Sequence, residues 1–162
     1  MTIKTGDRVP SATIFKMGDD GGPEAVSTDE FFKGRRVVVF GLPGAFTRTC
    51  SAKHLPGFVA QAQAIRDRGV DEIACVSVND AMVMTAWGVA HEALGKVTML
   101  SDGNCALTEA MGIASDMSAK GYGKRSKRYA MIVEDGVVTH FALETEPGLN
   151  VSSAEQVLEA LG

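Results

Sequence analysis

Cys50 and Thr47 put a thiol and a hydroxyl one helical turn apart in the run Gly41-Leu42-Pro43-Gly44-Ala45-Phe46-Thr47-Arg48-Thr49-Cys50-Ser51. A thiol is a nucleophile only as thiolate, so the local setting must lower its pKa. Upstream, Arg36-Val37-Val38-Val39-Phe40 has the β-branched run of a buried strand. Downstream, Leu55, Phe58, Val59, Ala62 and Ile65 recur at helical spacing. Cys50 is therefore expected near the start of a helix, where unpaired N–H groups and the dipole favour an anion. The competing reading is an inert cysteine packed as a small hydrophobe. The residues around it favour chemistry.

The remaining sulfur and imidazole offer no rival site. Cysteines at 50, 75 and 105 form no Cys-x-x-Cys pair, and His54, His91 and His140 share no zinc-site spacing with them. No metal and no cofactor is expected. An odd cysteine count in a chain without secretory features implies reduced thiols. Met82, Met84, Met111 and Met117 read as gap-fillers.

The elements that must position Cys50 follow from periodicity and turn chemistry. Met17 to Pro23 is a turn cluster inside an N-terminal hairpin, and Ser27 starts a short helical turn. A strand at 36–41 leads to a helix from about 50 to 67, closed by Gly69. Glu72 to Val78 is a second central strand. Asn79 and Asp80 cap a helix to about Leu94, Val97 to Leu100 is a third strand, and a short helix spans Asp102 to Met111. Residues 114–127 read as a loop or irregular helix. Tyr129–Val133 and Val137–Leu143 flank the hairpin turn Glu134-Asp135-Gly136, and Ser152 or Ser153 caps a final helix, Ala154 to Leu161. The order predicts an α/β fold, a mixed central sheet flanked by helices, in a single domain over 1–162.

Hydrophobic residues are 45% and charged residues 22%, which suits a globular chain able to bury a full core. A net charge of −4 argues against a general nucleic-acid binder. No apolar run reaches the ~20 residues of a membrane helix. The first residues lack a signal or transit pattern, so a cytoplasmic location is expected.

Pro43-x-x-x-Thr47-x-x-Cys50 resembles the peroxidatic motif of peroxiredoxins. The longer Pro-Gly-Ala-Phe-Thr-x-Thr-Cys-Ser, followed by Lys53-His54-Leu55-Pro56-Gly57-Phe58, resembles the type II (peroxiredoxin-5) subfamily. The likeness runs from Gly6-Asp7-Arg8-Val9-Pro10 to the final helix and implies a thioredoxin-like fold. It implies a thiol peroxidase acting on hydrogen peroxide and organic hydroperoxides through a Cys50 sulfenic acid. In that reading Thr47 orients the peroxide, accepting a hydrogen bond from it and donating one to sulfur. Pro43 fences the pocket. Arg128, placed before Tyr129-Ala130-Met131-Ile132-Val133, lowers the thiol pKa and polarises the peroxide. Arg125 and Lys127 fit solvated edge charges better. Thr49, Gly44 and His54 are expected on the substrate side, His54 at the pocket rim or as a half-exposed helix residue. Arg48 stands where the family usually has Pro.

The sulfenic acid must be resolved by a second thiol. Val151, in Gly148-Leu149-Asn150-Val151, occupies the place where some relatives carry a late resolving cysteine, which excludes that disulfide. Cys75 is the internal candidate, with an inert core thiol as the competing reading, and Cys105 is a weaker one. The resemblance points to an external reductant, glutathione with glutaredoxin or thioredoxin. It also points to a homodimer formed around Phe46, Asp80 and Met82, with Phe46 and Trp87 as apolar anchors. The alternative is a peroxide sensor or thioredoxin-like holdase without steady turnover. A disulfide oxidoreductase lacks its Cys-x-x-Cys pair.

Overall fold

The computed structural model describes residues 1–162 apart from the side chain of Cys50. An N-terminal hairpin, β1 (Thr13–Met17) and β2 (Pro23–Ser27), precedes α1 (Thr28–Phe32). Then come β3 (Arg36–Gly41), α2 (Leu55–Arg66), β4 (Glu72–Ser77), α3 (Ala81–Ala90), β5 (Thr98–Ser101) and α4 (Ala106–Ala110). The C-terminal part holds β6 (Ala114–Asp116), β7 (Lys124–Ser126), β8 (Tyr129–Glu134), β9 (Val137–Leu143) and α5 (Ala154–Leu161). A 7-stranded sheet runs in the order β2-β1-β5-β4-β3-β8-β9. Its centre, β3, β4 and β5, is parallel, while β1 and β8 flank it antiparallel. The expected mixed sheet with helices on both faces is what forms.

Alternation along the central strands divides the core in two. Val38, Phe40, Ile73 and Cys75 face α2, α3 and α5, packing with Leu55, Phe58, Ile65, Trp87 and Val157. Val37, Val39, Ala74 and Val76 face α1 and α4, packing with Phe32, Leu107 and Met111. β3 is buried on both faces, which explains its unbroken Val-Val-Val-Phe run. At its end Tyr129, the register partner of Gly41, lies over it. A Cβ on Gly41 would come within 2.1 Å of the tyrosine ring, so only glycine fits there.

Three elements depart from the sequence expectation. Of the loop or irregular helix expected over residues 114–127, a single 3-10 turn forms, Ser118–Lys120. β6 and β7 pair there as an antiparallel ribbon, Ala114 opposite Ser126 and Asp116 opposite Lys124. Strands of three residues are too short to display a period. The second departure is α3, which ends at Ala90 and not near Leu94. Ala93 N–H reaches Gly88 O at 2.8 Å and Glu92 N–H reaches Val89 O at 3.1 Å, a Schellman closure. Its left-handed residue is Glu92 (φ 54°), so the glycine that marks such ends is missing and Gly95 misled the count.

The third departure bears on function. Arg48 and Thr49 are α-helical, Cys50–His54 form a π-helical segment, and α2 then continues from Leu55. Pro56 explains the widening. It brings no N–H, and its ring crowds the carbonyl four residues back, so an α register cannot pass through it. Such one-turn π segments concentrate at functional sites.

Candidate active site at the end of the central strands

The loop that leaves β3 is a tight turn fastened from three sides. Thr47 Oγ1 donates to Gly44 O at 2.7 Å, and Ala45 N–H donates to Asn79 Oδ1 at 2.9 Å. Asn79 is held in turn: its Oδ1 accepts from Ser77 Oγ at 2.6 Å and its carbonyl from Ser101 Oγ at 2.6 Å. From the other side Arg125, on β7, donates Nη1–H to Pro43 O at 2.9 Å and Nε–H to Tyr122 O at 2.9 Å. Its guanidinium fills the space where Gly44 would carry a Cβ, 2.3 Å from Nη1. Gly44 is thus a seat for Arg125.

Thr47 is half-buried. Because its hydroxyl proton is committed to Gly44 O, its oxygen presents lone pairs, which suits it to accept a hydrogen bond from a substrate O–H. Donation to sulfur, the other half of the expected role, concerns the Cys50 side chain, which lies outside the described residues. Thr49 is half-buried and Arg48 exposed in the following turn. The Cys50 prediction concerns a side chain outside the described residues. Its backbone opens the π segment one turn after Thr47, and Ser51 N–H closes that turn on Thr47 O at 2.9 Å.

Arg128 stands one residue before β8 and half-buried. Its Nη1–H donates to His54 Nδ1 at 2.9 Å. Arg128 and Pro43 line a common cavity of about 340 Å³ with Lys127, Glu144 and Pro147. His54 corrects the sequence reading. It is neither at a rim nor half-exposed but 1% exposed, beside the stacked rings of Phe40 and Phe58. Its Nε2–H donates to Ser152 O at 2.9 Å. Burial first, and the Arg128 charge second, hold its pKa down to about 3, so the ring is neutral near pH 7. A residue in the π segment turns inward where plain helical counting from Cys50 left it at the surface.

Behind His54 lies a knot that the sequence did not show. Glu144 Oε2 accepts from the N–H groups of Asn150, Val151 and Ser152 at 2.8–2.9 Å and from Ser152 Oγ at 2.7 Å. Partial burial alone would raise this carboxyl, but the bonds from Ser152, Val151 and Asn150 outweigh it and hold the pKa below the usual value. Glu144 N–H also closes on Arg128 O at 2.9 Å. No sequence signal marks these long-range partners.

The other candidates separate cleanly. Cys75 lies in the sheet interior with no exposed surface, on the α2 face. Cys105 is 6% exposed in a left-handed conformation, and burial together with Asp102 pushes its thiol pKa up, against nucleophilic use. Trp87 is the buried anchor expected, and its Nε1–H reaches Ser51 Oγ at 2.9 Å. Phe46 is not buried: it is 56% exposed with φ 63°, a costly conformation for a bulky residue, in the turn that swings Thr47 back onto Gly44. Arg125 was read as a solvated edge charge, because a β7 too short to detect hid its approach to the loop.

Among the described residues no helix is long and apolar enough to cross a membrane. The Redoxin family profile matches residues 4–158. The chain is 49% identical over 167 residues to the chloroplastic peroxiredoxin-2E-2 of Oryza sativa subsp. japonica, covering 99% of this chain and 73% of that one. It is 41% identical to peroxiredoxin-2B of Arabidopsis thaliana, covering 98% of both. The crystal structure of reduced Prx3 from Vibrio vulnificus in complex with hydrogen peroxide superposes with a TM-score of 0.95 at 44% identity, covering 99% of this chain and 100% of that one. Full-length likeness at this level makes the protein a thiol peroxidase. The chain belongs to the redoxin family and, within it, to the type II peroxiredoxins.

Proposed function

We propose that the chain reduces hydrogen peroxide and small organic hydroperoxides through Cys50, and that an external thiol, glutathione with glutaredoxin, completes the cycle. The Cys50 thiolate attacks one peroxide oxygen. An S–O bond forms, the O–O bond breaks, and the leaving oxygen takes a proton to become water or an alcohol. Sulfur is oxidised to sulfenic acid as the peroxide is reduced. Glutathione then displaces water to give a mixed disulfide, and a second glutathione, through glutaredoxin, returns the thiol and leaves glutathione disulfide.

Thr47 receives the peroxide O–H on its free lone pairs, and the N–H groups of the first helical turn face the developing negative charge. Arg128 adds the cation and Pro43 limits water. The peroxide held by the Vibrio vulnificus relative supports the same substrate class here. The observation that carries the external step is Cys75, sealed in the sheet with no exposed surface, while Val151 occupies the late position. Exposed Phe46 and Met82 support a homodimer joined at that face.

Peroxide turnover of the wild type, Cys50→Ser and Cys75→Ser, each with glutathione plus glutaredoxin or with thioredoxin, tests the reading. Loss in Cys50→Ser alone, with glutathione the better reductant, is expected. Loss in Cys75→Ser as well would bring Cys75 into the cycle, through a local unfolding step. Faster turnover with thioredoxin would replace the reductant.

A further inference from the structure

The cavity of about 340 Å³ that opens beside Pro43 carries charges of both signs that the fold does not use. Lys127, just after β7, and Glu146, in the turn after β9, both line it and are exposed. Neither side chain meets a partner among the described residues, and the two do not pair with each other. We propose that this cavity is the seat of glutathione, with Lys127 holding its glycyl carboxylate and Glu146 its ammonium. The proposal rests on the reading that glutathione resolves the Cys50 sulfenic acid. Glutathione is a tripeptide with a carboxylate at each end and an ammonium at one, and its thiol lies between the ends. A cation on one segment of the cavity and an anion on the other match those two ends. The thiol then lies toward the middle, against Pro43 and the loop that leads to Cys50.

Both segments are fixed by the fold itself. Glu144 N–H donates to Arg128 O at 2.9 Å, which ties the two together, and Lys127 N–H donates to Ile113 O at 3.0 Å. Glu144 Oε2 is committed to donors from Asn150, Val151 and Ser152, so that carboxylate closes the turn and the Glu146 carboxylate remains for a ligand. Pro147 adds a fixed φ beside it. A preformed seat loses little ordering entropy on binding. Its volume lies toward the lower end of small-ligand sites, roughly 300–1,000 Å³, which suits a tripeptide and not a protein surface. The step seated there balances. The glutathione thiolate attacks the Cys50 sulfenic sulfur, an S–S bond forms, the S–O bond breaks, and hydroxide leaves as water with the proton given up by the thiol.

The test compares thiols that differ in one charge. Sulfenic enzyme, made with an equivalent of hydrogen peroxide, is mixed with glutathione, its glycyl ethyl ester or its N-acetyl derivative, and mixed-disulfide formation is followed by mass spectrometry. The wild type is expected to react about fivefold faster with glutathione than with either derivative, which is what an exposed ion pair supplies. Lys127→Met should lower the glutathione rate about fivefold and treat the ester like the parent, while still discriminating against the N-acetyl compound. Glu146→Gln should show the converse. Each ratio compares thiols attacking one sulfur in one variant, so a merely structural change at the cavity cancels. Both positions are exposed, so the fold is kept. A wild type that does not distinguish the three thiols, or variants that keep its preferences, would overturn the proposal. A wild type that none of the three reduces, while thioredoxin sustains turnover, would instead remove the reading of glutathione as reductant and the seat with it.

Discussion

The two ends of the central sheet treat arginine in opposite ways. At the end where β3 begins, Arg35 meets Glu72 at 2.9 Å and Arg36 Nε lies 3.4 Å from Glu134. At the end where β3 gives way to the Pro43–Thr47 turn, Arg128 meets an imidazole nitrogen and Arg125 meets two backbone carbonyls. Carboxylate pairing neutralises a cation and ties strand ends together. A hydrogen bond to a neutral acceptor fixes a guanidinium in space without cancelling its charge. One end ties the strands together by charge pairing, and the other, on the function proposed above, is arranged for reactivity on the same strands.

The strongest test of this contrast is Arg128→Ala. It should cost ~100-fold in kcat/KM for peroxide, about 2.7 kcal/mol of transition-state stabilisation, while the melting temperature moves little. A comparable loss of stability would make Arg128 a structural residue like Arg35.

Acid should act on the site end through His54. The folded pKa, about 3, lies below the ordinary 6.5, so the unfolded chain binds a proton there that the folded chain refuses. Stability is therefore full above pH 6.5 and falls as pH drops toward 3, by about 1.4 kcal/mol per pH unit within that window. Glu144, its pKa also held down, adds to the loss below the usual carboxylate range. Urea unfolding at pH 7, 6, 5 and 4 should show this slope in the wild type and a flatter one in His54→Phe. Identical slopes would mean that the ring is reached by water.

Gly44→Ala sharpens the comparison within the site end. The new Cβ would displace the tip of Arg125 from Pro43 O, and because that tip is mobile the fold survives. A fall of ~10-fold in kcat/KM, with thermal unfolding within about 1 kcal/mol of wild type, is expected if the turn must be held to react. At the opposite end Arg35→Met should give the mirror result. The partly buried pair with Glu72 is worth ~1 kcal/mol of stability, and peroxide kinetics should not change. A rate effect in Arg35→Met would abolish the division between the ends.

What the sequence made legible followed from short-range signals. The run Val37-Val38-Val39, the helical spacing from Leu55 to Ile65 and the Asp135-Gly136 turn, whose φ values are 48° and 81°, all speak within a few residues. The resemblance supplied the family and the expected roles of Thr47 and Arg128. The partners that hold those residues were not legible. Glu144 and Ser152 lie 90 or more positions from His54, and a carboxylate that binds consecutive backbone N–H groups needs no particular neighbours to announce it. Arg125 was misjudged because β7 is too short to show a period, and His54 because the π segment alters the count that assigns a helical residue to a face.

That change of count has an evolutionary consequence. A π segment is an α-helix carrying one inserted residue. Removing any one residue from 51–54 would take away the insertion, and would turn everything before it by about 100° and draw it in by about 1.5 Å relative to α2. Motif searches would still find a proline, a threonine and a cysteine in nearly the right order, and the α2 face would still pack against Phe40 and Ile73. In this stretch, chain length is under tighter constraint than residue identity. Insertions and deletions between the turn and Leu55 are the lesions to which a screen of point substitutions would be blind.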